Sequence, residues 1–484
     1  MSINVAMNSA VSGLTAAARG VQVASGNVAN AMNEGYAPRS LQLGTAVLGG
    51  MGAGVRVLGV ERQVDPVLTA LVRQAGADRA GAEAGARFWT DFENAVGAPG
   101  DPFALAGRVA AFEAALVAAA NRPDMDQRLA AVGTAAGAMV QEFDSLQRHV
   151  QQARLDADGA IARDVAELND GLAHLARLNG DIVSMRASGE PPLALMDERQ
   201  NLITRLSEIV PIREYNSPEG RSILYTDGGQ LLLDVTPSVI GFTPSTAIEP
   251  GMTLAGGTLS GLTLNGKPVA NPGNGGPFGG GRLAARFDVR DTQGVAAQTA
   301  LDRMAADLIA RFEAPGTDPS APGGPGLFTD QGGPLDPAAP PGLAGRLALN
   351  PLVQPELGGH LWHLREGLGA DPAGPRGPVG DATQINRWIE ALQRPLAPAP
   401  GMAETSFGDT VGRELSQISL TRQGFEDRAS QTSARATELH ERVLARGVDT
   451  DAEMQRLVLI EQAYAANARL IQVADQMLRR LMEI

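Results

Sequence analysis

Apolar side chains recur at alternating steps of four and three along residues 3–31. Ile3, Met7, Ala10, Leu14, Ala17, Val21, Ala24, Val28 and Ala31 fall on one line of a helix. Spacing of 3.5 residues sustained this long marks a seam between helices rather than a lone surface helix. Most members are small, so a partner helix can approach closely. Asn27 and Asn30 sit at the end of the seam, and Gly35 and Pro38 stop the helix beyond them. The expected packing residues are Ala10, Leu14, Ala17, Val21, Ala24, Asn27, Val28 and Asn30.

The C-terminal stretch mirrors the first. Leu457, Ile460, Tyr464, Asn467, Ile471, Ala474, Leu478 and Leu481 step by three and four without a break. Thr450 and Glu453 have the spacing of a capping box that starts this helix. Asn467 stands at a seam position, where an amide fixes register at some cost in stability. Two such helices at opposite ends of one chain can pair with each other or with copies in neighbouring subunits.

More helix lies between. Leu129, Val132, Ala136, Met139, Phe143, Leu146, Val150, Ala153 and Ala157 keep the heptad. Ile161, Val165, Leu168, Leu172, Leu175, Asn179 and Ile182 resume it after an extra step of four, a stutter. A continuous helix over 127–187 would be on the order of 90 Å long. Residues 292–313 and 409–446 also read as helices, with Leu301, Met304, Leu308 and Phe312 on one face of the former.

From Pro211 the pattern changes to short Gly-punctuated runs, Ser222–Leu233, Ser238–Phe242 and Thr258–Leu264, which predict antiparallel strands. Asn265-Gly266 predicts a type I′ turn. Residues 314–345 and 366–381 are rich in Pro and Gly and read as loops. The pattern predicts a mainly helical α+β fold. In it, the N- and C-terminal segments form a long coiled-coil-like rod into which a small antiparallel β-domain is inserted. The expected divisions are a terminal pairing domain (1–65 with 447–484), a helical domain (66–210 with 285–446) and a β-rich insertion (211–284).

Composition sharpens this picture. Among 484 residues there is no cysteine, so disulfides and thiolate metal sites are excluded. Aromatic residues are only 4% against 44% hydrophobic, so Ala, Leu and Val do most of the apolar packing. A net charge of −14 with no basic run argues against nucleic acid as a partner. Residues 1–33 carry a single charge, Arg19, but Asn, Ser, Gln and Gly recur through them. That polarity fits neither a secretion signal nor a membrane span.

The chemistry-bearing candidates are few. His360 and His363 are spaced to share a helix face, yet Gly358-Gly359 beside them favours a loop and two ordinary histidines. Gly49–Gly54 lacks the third glycine of a dinucleotide loop and reads as a turn. Asp449-Thr450-Asp451 is not followed by the oxygen ligands of an EF-hand. No nucleophile motif is present. No catalytic, metal or cofactor residue is assigned, and an enzyme in the β-region, a cell-wall hydrolase or protease, is the contrary hypothesis.

The terminal residues resemble those of the bacterial flagellar axial proteins. The match runs through Ser9–Leu14, Ser25-Gly26-Asn27-Val28-Ala29-Asn30-Ala31 and Gly35-Tyr36, then through Asp451–Met454 and Glu461-Gln462-Ala463-Tyr464-Ala465-Ala466-Asn467-Ala468-Arg469. Met32-Asn33-Glu34 replaces the more usual N-T-P before Gly-Tyr. The middle is similar to the hook-associated protein 1 family. The matching segments are Leu168-Asn169, Leu178-Asn179-Gly180-Asp181-Ile182, Leu195–Leu202 with Asp197 and Arg199, Thr226–Gly229 and Gly281-Arg282-Leu283. The alternative within the axial proteins is hook protein or a second hook-associated protein.

The resemblance implies a structural subunit of the hook–filament junction. Its terminal helices would line the inner tube, and its β-domain would face outward. The implied partners are other copies in a ring, hook protein, the next junction protein, a cytoplasmic export chaperone and the flagellar type III export apparatus, with the mature protein secreted. Leu457, Ile460, Tyr464, Asn467, Ile471, Leu478 and Leu481 are the residues expected both for assembly and for the chaperone. Isolated helices are marginal in water, so both termini are expected to be disordered in the monomer and to fold on assembly.

Overall fold

The computed structural model describes residues 3–482, except 34, 49–50, 99, 271–272, 274 and 399–400. In chain order the chain begins with helix α1 (Ile3–Ala29), the hairpin β1 (Arg39–Leu48) and β2 (Met51–Arg62), and helices α2 (Pro66–Val96), α3 (Leu105–Asn121), α4 (Asp126–Ala187) and α5 (Leu193–Ile209). Six short strands follow: β3 (Ile212–Asn216), β4 (Ser222–Thr226), β5 (Leu231–Leu233), β6 (Ile240–Gly241), β7 (Thr263–Leu264) and β8 (Lys267–Pro268). Next come α6 (Gly281–Asp288), a π-helical turn (Val289–Gln293), α7 (Gly294–Glu313), β9 (Phe328–Asp330), α8 (Leu343–Arg346) and β10 (Leu347–Leu349). The chain closes with α9 (His363–Glu366), α10 (Thr383–Gln393), α11 (Phe407–Leu444) and α12 (Thr450–Met482). This is the mainly helical α+β architecture that the periodicity predicts.

Two compact units result. One comprises residues 1–79, 166–239 and 432–484, the other residues 80–165 and 240–431. The chain passes between them inside α2, α4 and α11, and between β5 and β6.

Helix α4 carries both stretches of the stuttered heptad in one 62-residue helix. Leu129, Val132, Ala136, Met139, Phe143, Leu146 and Val150 are buried in the core of the second unit, as are Phe88, Trp89, Phe112, Phe312 and Trp388. Leu168, Leu172, Leu175, Asn179 and Ile182 continue the same line inside the first unit. A line of buried side chains at this spacing is what holds a helix of such length to its neighbours.

In the second unit the helix expected from residue 292 starts earlier, at Gly281. It passes through the π turn, where an extra residue widens the coil and interrupts the apolar period. That turn buries Arg290 completely. Arg290 Nη1 donates to Asp158 Oδ1 at 2.6 Å, and its other nitrogens reach Asp291 Oδ2 and the Ser260 carbonyl. Arg154, also fully buried, donates to the carbonyls of Arg290, Glu249, Pro250 and Met252. Asp158 Oδ2 accepts the Ser245 N–H at 2.7 Å. Two arginines and two aspartates thus take over backbone groups of the irregular 243–260 segment that no strand pairs.

The predicted turn at Asn265-Gly266 is present, with φ of 51° and 78°, joining β7 to β8. The stretch read as loop over 314–345 is anchored instead. Leu327 and Phe328 are buried, and β9 pairs antiparallel with β10 from Phe328↔Leu349 to Asp330↔Leu347. In the first unit, β3, β4 and β5 form an antiparallel sheet with Leu224, Leu232 and Leu233 buried.

Candidate assembly interface

Within the first unit α1 and α12 pack along their lengths. The pairing is antiparallel. A Cβ built on Gly13 would lie 2.6 Å from Asn467 Nδ2, and one on Gly20 would lie 3.0 Å from Ile460 Cδ1. Asn27 Nδ2 donates to Glu453 Oε1 at 2.9 Å. The three pairs are seven residues apart on both helices, the heptad written as contacts. A Cβ at 13 would overlap the Asn467 amide, and one at 20 would press on the end of the Ile460 side chain, so both positions favour glycine.

Of the residues the N-terminal pattern selects, Ala10, Ala17, Ala24 and Asn27 are buried. Leu14, Val28 and Asn30 are half-buried, and Asn30 Nδ2 donates to the Gly26 carbonyl of its own helix. Val21 is 39% exposed. On α12, Leu457, Ile460, Asn467, Ile471 and Leu478 are half-buried, Ala474 is buried and Tyr464 is 49% exposed. The Leu481 side chain lies outside the described residues. Asn467 Nδ2 bonds the Ala463 carbonyl one turn back. The close-packed line on α1 therefore runs through 10, 13, 17, 20, 24 and 27, one step round from Leu14, Val21 and Val28.

A second apolar line on α12 is exposed, with nothing covering it among the described residues. Leu459, Ala463, Ala466, Leu470, Val473 and Met477 are all exposed and again step by four and three. Val11 on α1 is exposed as well.

The base of the pair is polar, and the Asn27 amide at its centre is fully bonded. Asn27 is completely buried, and its amide makes four hydrogen bonds. Nδ2 donates to the Arg39 carbonyl as well as to Glu453, while Oδ1 accepts Tyr36 Oη at 2.9 Å and the Arg39 N–H at 3.0 Å. That uses everything an asparagine side chain offers. Burial, opposed by Arg39, raises the Tyr36 phenol above its ordinary value. Gly35 before it has φ +82°, with the Asn201 side chain where a Cβ would stand. The helix start is capped by Asp449, whose Oδ1 accepts the N–H groups of Asp451 and Ala452 at 3.0 Å, rather than by Thr450. Glu453, read from sequence as half of that cap, turns to Asn27 instead. The glycines at 49–50 fall outside the described residues, and Met51–Gly54 belongs to β2 rather than to a free turn.

Next to this base, Asp197 of α5 accepts Arg62 Nε at 2.8 Å and pairs with Arg39 Nη2 at 3.3 Å. Arg199, on the other side of α5, donates from Nη1 to Asn179 Oδ1 and to the Gly220 carbonyl. Asn179 in turn holds both backbone groups of Ser222, donating to its carbonyl at 2.9 Å and accepting its N–H at 3.1 Å. The paired asparagine and D-x-R segments quoted from the sequence are therefore joints tying α4 and α5 to the β1–β2 hairpin and to β4. The motifs alone give these residues no role, and the seven-residue spacing of Gly13 and Gly20 in an almost uncharged helix is the signal for the close approach.

Elsewhere, among the described residues no group of three His, Asp or Glu is placed to hold a metal ion. His363 is buried with Nδ1 2.9 Å from the Gly367 carbonyl, and burial lowers its pKa. His360 stacks on Trp362.

Comparison with known proteins places these features. Residues 91–317 match the model of the flagellar hook-associated protein FlgK helical domain, and residues 443–484 match the flagellar basal body rod FlgEFG protein C-terminal model. Flagellar hook-associated protein 1 of Salmonella typhimurium is 27% identical over 259 residues, covering 51% of this chain and 46% of that protein. The Escherichia coli K12 protein of the same name is 26% identical over 259 residues, covering 51% and 47%. The chain thus spans about half the length of the curated relatives it matches. The structure of the flagellar hook junction protein FlgK from Burkholderia pseudomallei aligns over 54% of this chain and 46% of that one, with 19% identity and a TM-score of 0.43.

Proposed function

We propose, from the premise that this chain belongs to the flagellar hook-associated protein 1 family, that it is a structural subunit of the bacterial flagellum at the junction between hook and filament. The observation that carries the reading is the α1–α12 pair. It closes one heptad seam inside the chain and leaves a second, through Leu459, Leu470, Val473 and Met477, open to a neighbour. A subunit with one satisfied and one unsatisfied seam is built to continue into an assembly.

In this reading the terminal helices order fully in the inner tube of a ring of copies, with hook protein on one side and the next junction protein on the other. The protein catalyses nothing. It leaves the cell through the flagellar type III apparatus, accompanied by a cytoplasmic chaperone that covers the α12 seam before α1 does. Leu457→Asp with Ile460→Asp removes the apolar seam and is expected to abolish chaperone binding by the full chain; undiminished affinity would discard the chaperone part of the proposal.

The deciding experiment is electron microscopy of a strain lacking the gene, with its medium probed for filament protein. Complete hooks without filaments, and filament subunits lost to the medium, are expected. Missing hooks would move the subunit to an earlier rod or hook position, and normal filaments would refute an axial role.

A further inference from the structure

Helices α1 and α12 are each tethered at the same end of their pair. Asn27 lies twelve residues before Arg39, the hairpin residue it bonds. Glu453 lies a few residues beyond α11, whose Leu439 and Ala436 pack on Leu68, Val72 and Ala75 of α2. Closing the Asn27–Glu453 contact therefore needs only short loops, whereas contacts farther out, such as Gly13 with Asn467, each enclose more free chain. Loop-closure entropy rises with the length enclosed. The energetic gradient has the same direction. The base holds a buried four-bond amide, two of whose bonds go to Arg39 of the hairpin and one to Tyr36 just before it, whereas the outer part of α12 offers half-buried apolar contacts with Ala474 alone buried.

We infer that the Asn27–Glu453 contact is the point from which the terminal pair zips: α1 is anchored by the hairpin first, Glu453 docks α12 onto it, and pairing spreads from there toward Ile3 and Met482. Glu453 is thus a positioning residue. It supplies the one bond of Asn27 that comes from α12, and it couples the order of α12 to that of the hairpin. The inference rests on reading the pair as assembly helices, but it concerns which end of the pair orders first in the free subunit, and it replaces the expectation that both termini are wholly disordered there.

The test is hydrogen exchange, read by mass spectrometry, on the free full-length protein. Peptides covering 452–460 are expected to exchange at least about tenfold more slowly than peptides covering 470–480, the scale of one hydrogen bond to a charged group. Glu453→Ala should erase that difference and speed exchange at 24–31, while Glu453→Gln, which keeps the acceptor for Asn27 Nδ2, should restore most of it. A merely structural glutamate would not separate Ala from Gln in this way. Uniform exchange along α12, slower exchange at its far end, or a Glu453→Ala profile like the wild type would each overturn the inference. Any of these beside an intact deletion phenotype would condemn the zipping order alone and leave the junction reading in place.

Discussion

Removing the Asp158 carboxylate tests the buried network of the second unit. Asp158 and Arg290 are both fully buried, and the carboxylate also holds the Ser245 N–H. Asp158→Ala leaves a guanidinium out of water with fewer partners and a backbone N–H with none. Breaking a buried pair costs about 3 kcal/mol at the lower end, which fits here because Asp291 and the Ser260 carbonyl still serve Arg290. The orphaned N–H adds about 1 kcal/mol. With a urea dependence of about 3 kcal/mol per molar for a unit of this size, the midpoint should fall by slightly more than about 1 M. All three tryptophans, Trp89, Trp362 and Trp388, belong to this unit, so tryptophan fluorescence reads its unfolding alone. Asp158→Asn keeps one of the two acceptors, without charge, and should fall between alanine and the wild type. A midpoint for Asp158→Ala within about 0.3 M of the wild type would show that the 243–260 segment does not depend on this network, and the reasoning would fail.

Three further outcomes are expected. Asn179→Ala removes both bonds to Ser222 and the acceptor for Arg199, and should cost the first unit about 2–3 kcal/mol, seen as accelerated exchange in peptides covering 212–233. Gly13→Leu cannot share space with Asn467, so it should fail to restore filaments in the deletion strain while leaving the tryptophan-detected urea midpoint unchanged. Glu214 gives an acid limb. Burial would raise its carboxyl, but Arg73 at 2.7 Å and the Ser222 hydroxyl outweigh burial and hold it below the ordinary glutamate range. A carboxyl lowered on folding lends stability that is complete above its unfolded pKa and is lost as pH falls through its native one. Near-ultraviolet dichroism of the tyrosines Tyr36, Tyr215, Tyr225 and Tyr464, all in this unit, should show the loss, and Glu214→Gln should flatten it.

The long helices were legible because burial along them follows the helical period. Every heptad residue named between Leu129 and Val150 is buried in α4, and the stutter after Ala157 left the helix unbroken. What was not legible depends on partners distant in sequence. Nothing local distinguishes Glu453 as a cap from Glu453 as a ligand of Asn27, because the other half of the bond lies 426 residues away. The same holds for Asn179 and Ser222, and for Arg290, whose charge in an apolar-looking helix gives no hint of a buried aspartate on α4. Ala10, Ala17, Ala24 and Asn27 of the α1 seam are buried as the pattern predicts, whereas at the alternate positions Leu14 and Val21 lie one step off the close-packed line. Close packing had instead selected the positions with least side chain, Gly13 and Gly20.

The pairing of α1 with α12 repeats every seven residues, so a slide of one helix along the other by about 10 Å would bring seam onto seam again. It would also set Asn27 opposite Ile460 and Gly20 opposite Asn467, stranding a buried amide against hydrocarbon. The apolar seam alone is a scale whose divisions look alike, and the Asn27–Glu453 bond is its zero mark. A pair indexed in this way cannot creep under axial load by small slips: it holds its setting until the whole contact at the base gives way, so load on the terminal helices is passed to the hairpin and α5 instead of being relieved along the seam.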